Sequence, residues 1–308
     1  MKAVIDLGTN TFQLLIINLK GNGNFEIVYQ EKQAVKLGKG GINQNVISPE
    51  AELRAWKTLQ EYKEIALKYG VDKIYALGTS AIRNAENGQE FAKKIQEKLG
   101  IKVFVIDGEQ EATWIYAGVK RAVQLGEQPN LIVDIGGGST EFIIANAQQV
   151  FWQKSFEIGG LRLIEKFMYQ EPMPAQNIPK LKAYLSKELK ELDQAMQQHR
   201  PSILVGSSGA FTTFAAVDAL HLQNKKYVPP YTEIDLPIPT FEKIYQILLP
   251  LNREQRLQIK GVTELRVDMI VVGAILVHYL IKKYPFRTIK VSNYSLKEGF
   301  IFEQLQSL

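Results

Sequence analysis

Two thirteen-residue stretches of this chain follow one pattern: Val4 to Ile16 is V-I-D-L-G-T-N-T-F-Q-L-L-I, and Ile132 to Ile144 is I-V-D-I-G-G-G-S-T-E-F-I-I. They align without a gap, Asp6 on Asp134, Gly8 on Gly136, Thr11 on Ser139 and Gln13 on Glu141. Each reads as an apolar strand ending in an acid, a tight turn of small and hydroxyl residues, and a second apolar strand. One such unit is only a hairpin. Two of them, each opening a stretch of mixed strands and helices, predict a duplicated α/β domain.

The rest of each half fits that reading. In the first, a strand is expected over Phe25 to Leu37 and a helix over Pro49 to Tyr69, where Leu53, Trp56, Leu59, Ile65 and Ala66 recur at helical spacing. Strands follow at Ile74 to Leu77 and Ile101 to Ile106, with helices at Glu90 to Leu99 and Glu109 to Gln124. In the second, the expected order is strand Gln149 to Glu157, helices Leu161 to Met168 and Ile178 to His199, strand Ser202 to Val205 and a helix from Ala210. Helix Met269 to Lys283, strand Thr288 to Ser292 and a last helix from Leu296 end the chain. The lobes are expected to span 1–125 and 126–296, with helix 297–308 completing the first. A strand-rich start followed by alternating helix and strand, twice over, resembles the actin/hexokinase/Hsp70 superfamily, a duplicated ribonuclease H-like fold. That resemblance implies two turns facing across an interdomain cleft and gripping phosphates from both sides. A fold alone does not fix a function.

Composition narrows the chemistry. The chain has no cysteine, which excludes disulfides, thiolate catalysis and thiolate metal sites. Its three histidines, His199, His221 and His278, are scattered and are read as packed or solvated. A metal would therefore sit on oxygen ligands, as Mg²⁺ or Mn²⁺ does. The net charge of +5 suits an anionic partner without naming one. Met1 runs directly into the strand residues Ala3, Val4 and Ile5 and then Asp6, read as the start of a cytoplasmic protein without a leader. The apolar stretch Met269 to Ile281 is too short for an ordinary membrane span and is read as a buried helix.

The turns carry the chemistry. Gly136, Gly137, Gly138, Ser139 and Thr140 follow Asp134, and Gly8, Thr9, Asn10 and Thr11 follow Asp6. Glycines let backbone N–H groups approach an anion, and hydroxyls add donors. Asp6, Asp134 and Glu141 beside two such turns make a candidate Mg²⁺ site, partly through waters. The plain alternative for each acid is a turn cap.

Longer strings resemble the Ppx/GppA family of exopolyphosphatases and guanosine-pentaphosphatases. They are D-L-G-T-N-T-F-Q-L-L-I (Asp6 to Ile16), G-T-S-A-I-R-N-A (Gly78 to Ala85), I-D-G-E-Q-E-A-T-W-I-Y-A-G-V (Ile106 to Val119) and V-D-I-G-G-G-S-T-E (Val133 to Glu141). Further on come F-E-I-G-G-L-R-L (Phe156 to Leu163), V-G-S-S-G-A-F-T-T (Val205 to Thr213), R-V-D-M-I-V-V-G-A-I-L (Arg266 to Leu276) and V-S-N-Y-S-L-K-E-G (Val291 to Gly299). The resemblance implies Glu111 as general base, with Glu109 its rival, and Arg83 as a phosphate-contacting arginine. It makes Gly206, Ser207, Ser208 and Gly209 a third phosphate- or nucleoside-side loop, although Ala210 stands where the family usually has threonine. Arg266 and Asp268 are read as a structural ion pair.

The implied activity is Mg²⁺-dependent release of orthophosphate from the end of inorganic polyphosphate, with guanosine pentaphosphate (pppGpp) a close second substrate. A non-catalytic sensor of either compound, or a kinase of the same fold, is the alternative of another class. A homodimer is compatible with this reading; nucleic acid and membrane have no part in it. The chain stops short of the helical C-terminal region of longer relatives, which implies short substrates.

Overall fold

The computed structural model describes residues 1–20, 24–227 and 233–305. Residues 306–308, the end of the expected C-terminal helix, lie outside them. The chain divides into two compact units, Met1–Glu111 together with the segment from Phe300, and Ala112–Gly299. The divisions fall within two helices, α4 (Gly108–Ala122) and α12 (Leu296–Phe300).

The first unit is built on five strands: β1 (Lys2–Leu7), β2 (Phe12–Leu19), β3 (Phe25–Gln33), β4 (Ile74–Gly78) and β5 (Lys102–Val105). Their order is β3-β2-β1-β4-β5, with β1 to β3 antiparallel and β4 and β5 parallel to β1. Every residue of β4 is buried, as expected for a parallel strand inside a sheet. Helices α1 (Pro49–Lys68), α2 (Ser80–Arg83) and α3 (Gly88–Leu99) connect the strands. Helix α1 starts where its sequence says it should: Ser48 accepts from the Ala51 N–H, Pro49 takes the first turn, and Glu50 and Glu52 face the dipole.

The second unit repeats this plan. Its strands are β6 (Asn130–Ile135), β7 (Thr140–Ala145), β8 (Val150–Phe156), β9 (Ile203–Ser207), β10 (Ile234–Leu236) and β11 (Thr288–Val291). The order β8-β7-β6-β9-β11-β10 is that of the first sheet with one antiparallel edge strand added. The likeness reaches the register. Asp6 pairs with Gln13 and Asp134 with Glu141, and a bulge lies between Ile16 and Ile17 in one sheet and between Ile144 and Ala145 in the other. Those bulges occupy the same repeat position, so the duplication includes a strand irregularity that no hydrophobic pattern would require.

Helices α5 (Gly160–Phe167), α6 (Asn177–Glu188), α7 (Lys190–His199), α8 (Ser208–Val217), α9 (Ile238–Leu248), α10 (Arg253–Leu257) and α11 (Ile270–Lys283) surround the second sheet. The expected helix over Ile178 to His199 is two, broken at Leu189, whose side chain is fully buried. The expected strand from Phe25 to Leu37 ends at Gln33, and the residues after it form a strap that fastens the first turn. Strand β10 and helices α9 and α10 were not legible as elements. Helix α11 is buried along nearly its whole length and packs in the core of this unit. No helix among the described residues is long and apolar enough to cross a membrane.

Candidate active site

In both units the repeated turn lies at the end of the central strand. Its glycine is sterically required: a Cβ on Gly8 would lie 2.8 Å from the Thr11 carbonyl, and one on Gly136 would lie 3.0 Å from that of Ser139. The first turn is held from behind by the strap, where the Gly38 N–H donates to the Thr9 carbonyl at 2.9 Å and the Lys36 N–H to that of Asn10 at 2.8 Å. Thr9, Asn10 and Thr11 are all buried. The hydroxyls of Thr9 and Thr11 have no hydrogen-bond partner among the described residues, a costly state for a buried donor unless a ligand meets it.

Arg83 and Glu111 come together in the first unit. Arg83 Nη1 lies 2.7 Å from Glu111 Oε2, and both side chains are largely buried, 14% and 8% exposed. Arg83 Nη1 also donates to the Ile106 carbonyl at 3.2 Å. This is no surface helix arginine. Nor is Glu111 a helix cap: Asp107 does that work, its Oδ1 accepting from the Gln110 N–H at 2.7 Å. Glu109 is exposed on the same turn of α4. The helix thus separates its acids into a cap, a solvated residue and a buried carboxylate fixed by a guanidinium.

In the second unit the buried acids Asp134 and Glu141 stand opposite each other on β6 and β7. Asp134 Oδ2 accepts from the Ser207 hydroxyl at 2.6 Å and from the hydroxyl of Ser295. Glu141 Oε1 accepts from Ser155 at 2.7 Å. The hydroxyl of Thr140 turns back to the Ile158 carbonyl at 3.3 Å, while Ser139 is buried in the turn. Ser295 starts α12, and its own N–H donates to Glu298 Oε2 at 2.9 Å, half of a capping box, while its hydroxyl proton goes to Asp134. No chemistry had been read for Ser295; its only signal was its place in V-S-N-Y-S-L-K-E-G.

The segment Gly206, Ser207, Ser208 and Gly209, expected as a third phosphate loop, is engaged internally. Ser207 serves Asp134, and Ser208, at φ +68°, donates to the Ile135 carbonyl at 3.1 Å. The Phe211 ring fills the space a Cβ on Gly206 would need, and the Arg266 guanidinium that of Gly209. Asp268 pairs with Arg253 Nε at 2.8 Å. Ala210 lines a cavity of ≈ 20 Å³ beside Gly136 and Arg266. A larger cavity of ≈ 420 Å³ lies by Ser202, before the start of β9, at the opposite end of that strand from Ser207. It has no part in this site.

The fit to a metal is narrower than three acids. Among the described residues no three histidine, aspartate or glutamate side chains gather as a metal site. Two buried acids directly opposite one another on a sheet are nevertheless unfavourable without a cation between or near them. A Mg²⁺-like ion, which keeps waters and takes one or two carboxylates plus substrate phosphates, fits that donor set. Histidine does not enter: His278 stacks on Tyr245 at 4.0 Å, and burial lowers it to about 4.

Each unit thus carries a ribonuclease H-like sheet with a small-residue turn at the end of its central strand and an acid preceding that turn, the duplicated architecture of the actin-like class. Within it, the chain belongs to the Ppx/GppA phosphatase family, whose model matches residues 16–308. It is similar to an exopolyphosphatase from Cytophaga hutchinsonii, with 40% identity, 100% of this chain and 98% of that one covered, and a TM-score of 0.94. A Ppx/GppA family member from Aquifex aeolicus shares 25% identity over 99% of this chain and 97% of its own, with a TM-score of 0.79. A bifunctional 3-dehydroquinate synthase/phosphatase from Fusobacterium nucleatum is 31% identical over all of this chain, which spans 47% of that protein. The chain thus covers about half the length of this curated relative.

Proposed function

We propose that this protein hydrolyses the terminal phosphoanhydride bond of inorganic polyphosphate, with Glu111 as general base. The observation that carries the reading is the buried Arg83–Glu111 pair at 2.7 Å, on a helix turn whose cap is supplied by Asp107 instead. A carboxylate withdrawn from solvent and held in one orientation can take the proton of an attacking water, and here the guanidinium supplies the orientation. The water proton passes to Glu111, the water oxygen joins the terminal phosphorus, and the bridging P–O bond breaks to release orthophosphate. A guanidinium has five donors, enough for Arg83 to hold Glu111 and meet a phosphate oxygen as well.

The turn amides and the hydroxyls of Thr9 and Thr11 are proposed to bind substrate phosphates, and Asp134 with Glu141 to hold Mg²⁺ or Mn²⁺. Asp6, the counterpart of Asp134, is proposed to act from the first turn. The metal when bound neutralises phosphate charge. The similarity to a solved exopolyphosphatase supports polyphosphate as substrate. Guanosine pentaphosphate presents the same terminal anhydride and is the second candidate.

The test is phosphate release from polyphosphates of graded length and from pppGpp, with and without Mg²⁺, by wild type and by Glu111→Gln and Glu109→Gln. The reading expects turnover lost in Glu111→Gln and kept in Glu109→Gln. The reverse pattern would reassign the base, and binding without turnover in the wild type would make the protein a sensor.

A further inference from the structure

The glycine turn of the second unit has all three of its carbonyls tied down from one side. The Gly136 carbonyl accepts from the Gly160 N–H at 2.8 Å, that of Gly137 from Leu161 at 2.8 Å, and that of Gly138 from Gly159 at 3.1 Å. Gly138 receives a second bond, from Arg162 Nε at 2.9 Å. Arg162 is 7% exposed, and its Nη2 pairs with Glu157 at 2.9 Å. A trans peptide is planar, with each N–H directed opposite to the carbonyl of the preceding residue. Drawing back the carbonyls of residues 136–138 therefore directs the N–H groups of Gly137, Gly138 and Ser139 the other way. Those three N–H groups donate to no protein group among the described residues.

We propose that Arg162 is a positioning residue for the anion site: its bond to the Gly138 carbonyl sets the peptide orientation that presents the Gly137, Gly138 and Ser139 amides to a substrate phosphate. Taking these amides as a phosphate site rests on the function proposed above. The first unit solves the same problem with a second arginine. Arg54 donates from Nε to the Val35 carbonyl at 2.7 Å and from Nη2 to that of Lys36 at 2.9 Å, fixing the strap that holds the first turn. Each repeat thus has an arginine on the helix after its third strand whose bonds go to backbone carbonyls of the turn or its strap. Arg162 reaches the turn directly, Arg54 only through the strap. Gly159 belongs to the same device, since a Cβ there would lie 2.4 Å from the Gly138 backbone.

The experiment measures the affinity of inorganic tripolyphosphate by calorimetry, its amide chemical-shift changes by NMR, and steady-state kinetics, for wild type, Arg162→Met and Arg162→Lys. In wild type, tripolyphosphate should shift the Gly137, Gly138 and Ser139 amides. In Arg162→Met, Kd and KM should rise about tenfold or more, as loss of a charge-assisted hydrogen bond implies, with kcat within a factor of about three. Arg162→Lys keeps the charge without the planar fork and should show a smaller rise of the same kind. If Arg162→Met does not fold, Arg162→Lys carries the test. Unchanged Kd and KM in a folded variant would overturn the inference, as would hydrolysis by a wild type whose three amides do not respond. A wild type that binds through these amides but releases no phosphate would overturn the phosphatase reading and leave this one standing.

Discussion

The two turns share a strand register, a bulge position and a preceding acid, yet they are equipped differently. The first has two buried hydroxyls, Thr9 and Thr11, with no partner among the described residues, and is held by a backbone strap. The second replaces those two residues by Gly137 and Ser139, and its preceding acid is held by two serine hydroxyls. A buried hydroxyl without a partner costs about 1–3 kcal/mol, so the first turn is less stable than it need be until something binds. In the second turn the three carbonyls are tied down and two serine hydroxyls reach the acid, while the Gly137, Gly138 and Ser139 amides donate to no protein group among the described residues. Duplication supplied one scaffold twice; on the function proposed above, the first copy adds side-chain hydroxyl donors and the second adds the carboxylates of Asp134 and Glu141 on the metal side.

The largest expected effect tests whether the base belongs with the first turn. Glu111→Gln should lower kcat about 10²–10⁴-fold with substrate binding largely kept, read as phosphate release against tripolyphosphate affinity. Near-full activity would detach Arg83 and Glu111 from the chemistry. The next effect concerns the second turn. Turnover should vanish in chelator, and Ser295→Ala, which removes one hydroxyl from Asp134, should weaken Mg²⁺ activation about 10–100-fold, measured as the cation concentration for half-maximal rate. Ser295→Thr should restore it, because the hydroxyl survives.

Smaller effects sharpen the contrast in stability. Gly159→Ala should destabilise the protein by about 1–3 kcal/mol, through the clash with the backbone of the second turn, seen as a lower denaturation midpoint. The opposite sign is expected in the first turn. Thr9→Val removes an unsatisfied buried hydroxyl and should leave stability unchanged or raise it by up to about 1 kcal/mol, while KM rises. A Thr9→Val protein that is both less stable and unchanged in KM would mean that the hydroxyl serves the fold rather than a ligand.

The sequence by itself determined the duplication, the turn at the end of each central strand and the singling out of Arg83 and Glu111. These are local facts: strand period, an acid before a turn and the motif strings lie within short stretches of chain, and neighbours in sequence stay neighbours in the fold. It also carried β6 and β7 as apolar strands, and the structure buries every residue of both. Only the tertiary structure decided which groups meet. Nothing near Asp134 in the chain names Ser207 or Ser295, which lie 73 and 161 residues away. Nor does the stretch from Gly206 to Gly209, read by resemblance as a phosphate- or nucleoside-side loop, announce that Phe211 and Arg266 fill its glycine spaces and that Ser207 donates to Asp134. The carbonyl–amide orientation of the second turn depends on Gly159 to Arg162, a segment separated from it by a whole strand. Hydrogen bonds of this kind are set by where two distant backbones come to rest. That position is fixed by the packing of the whole sheet and its helices, and no spacing within the chain encodes it.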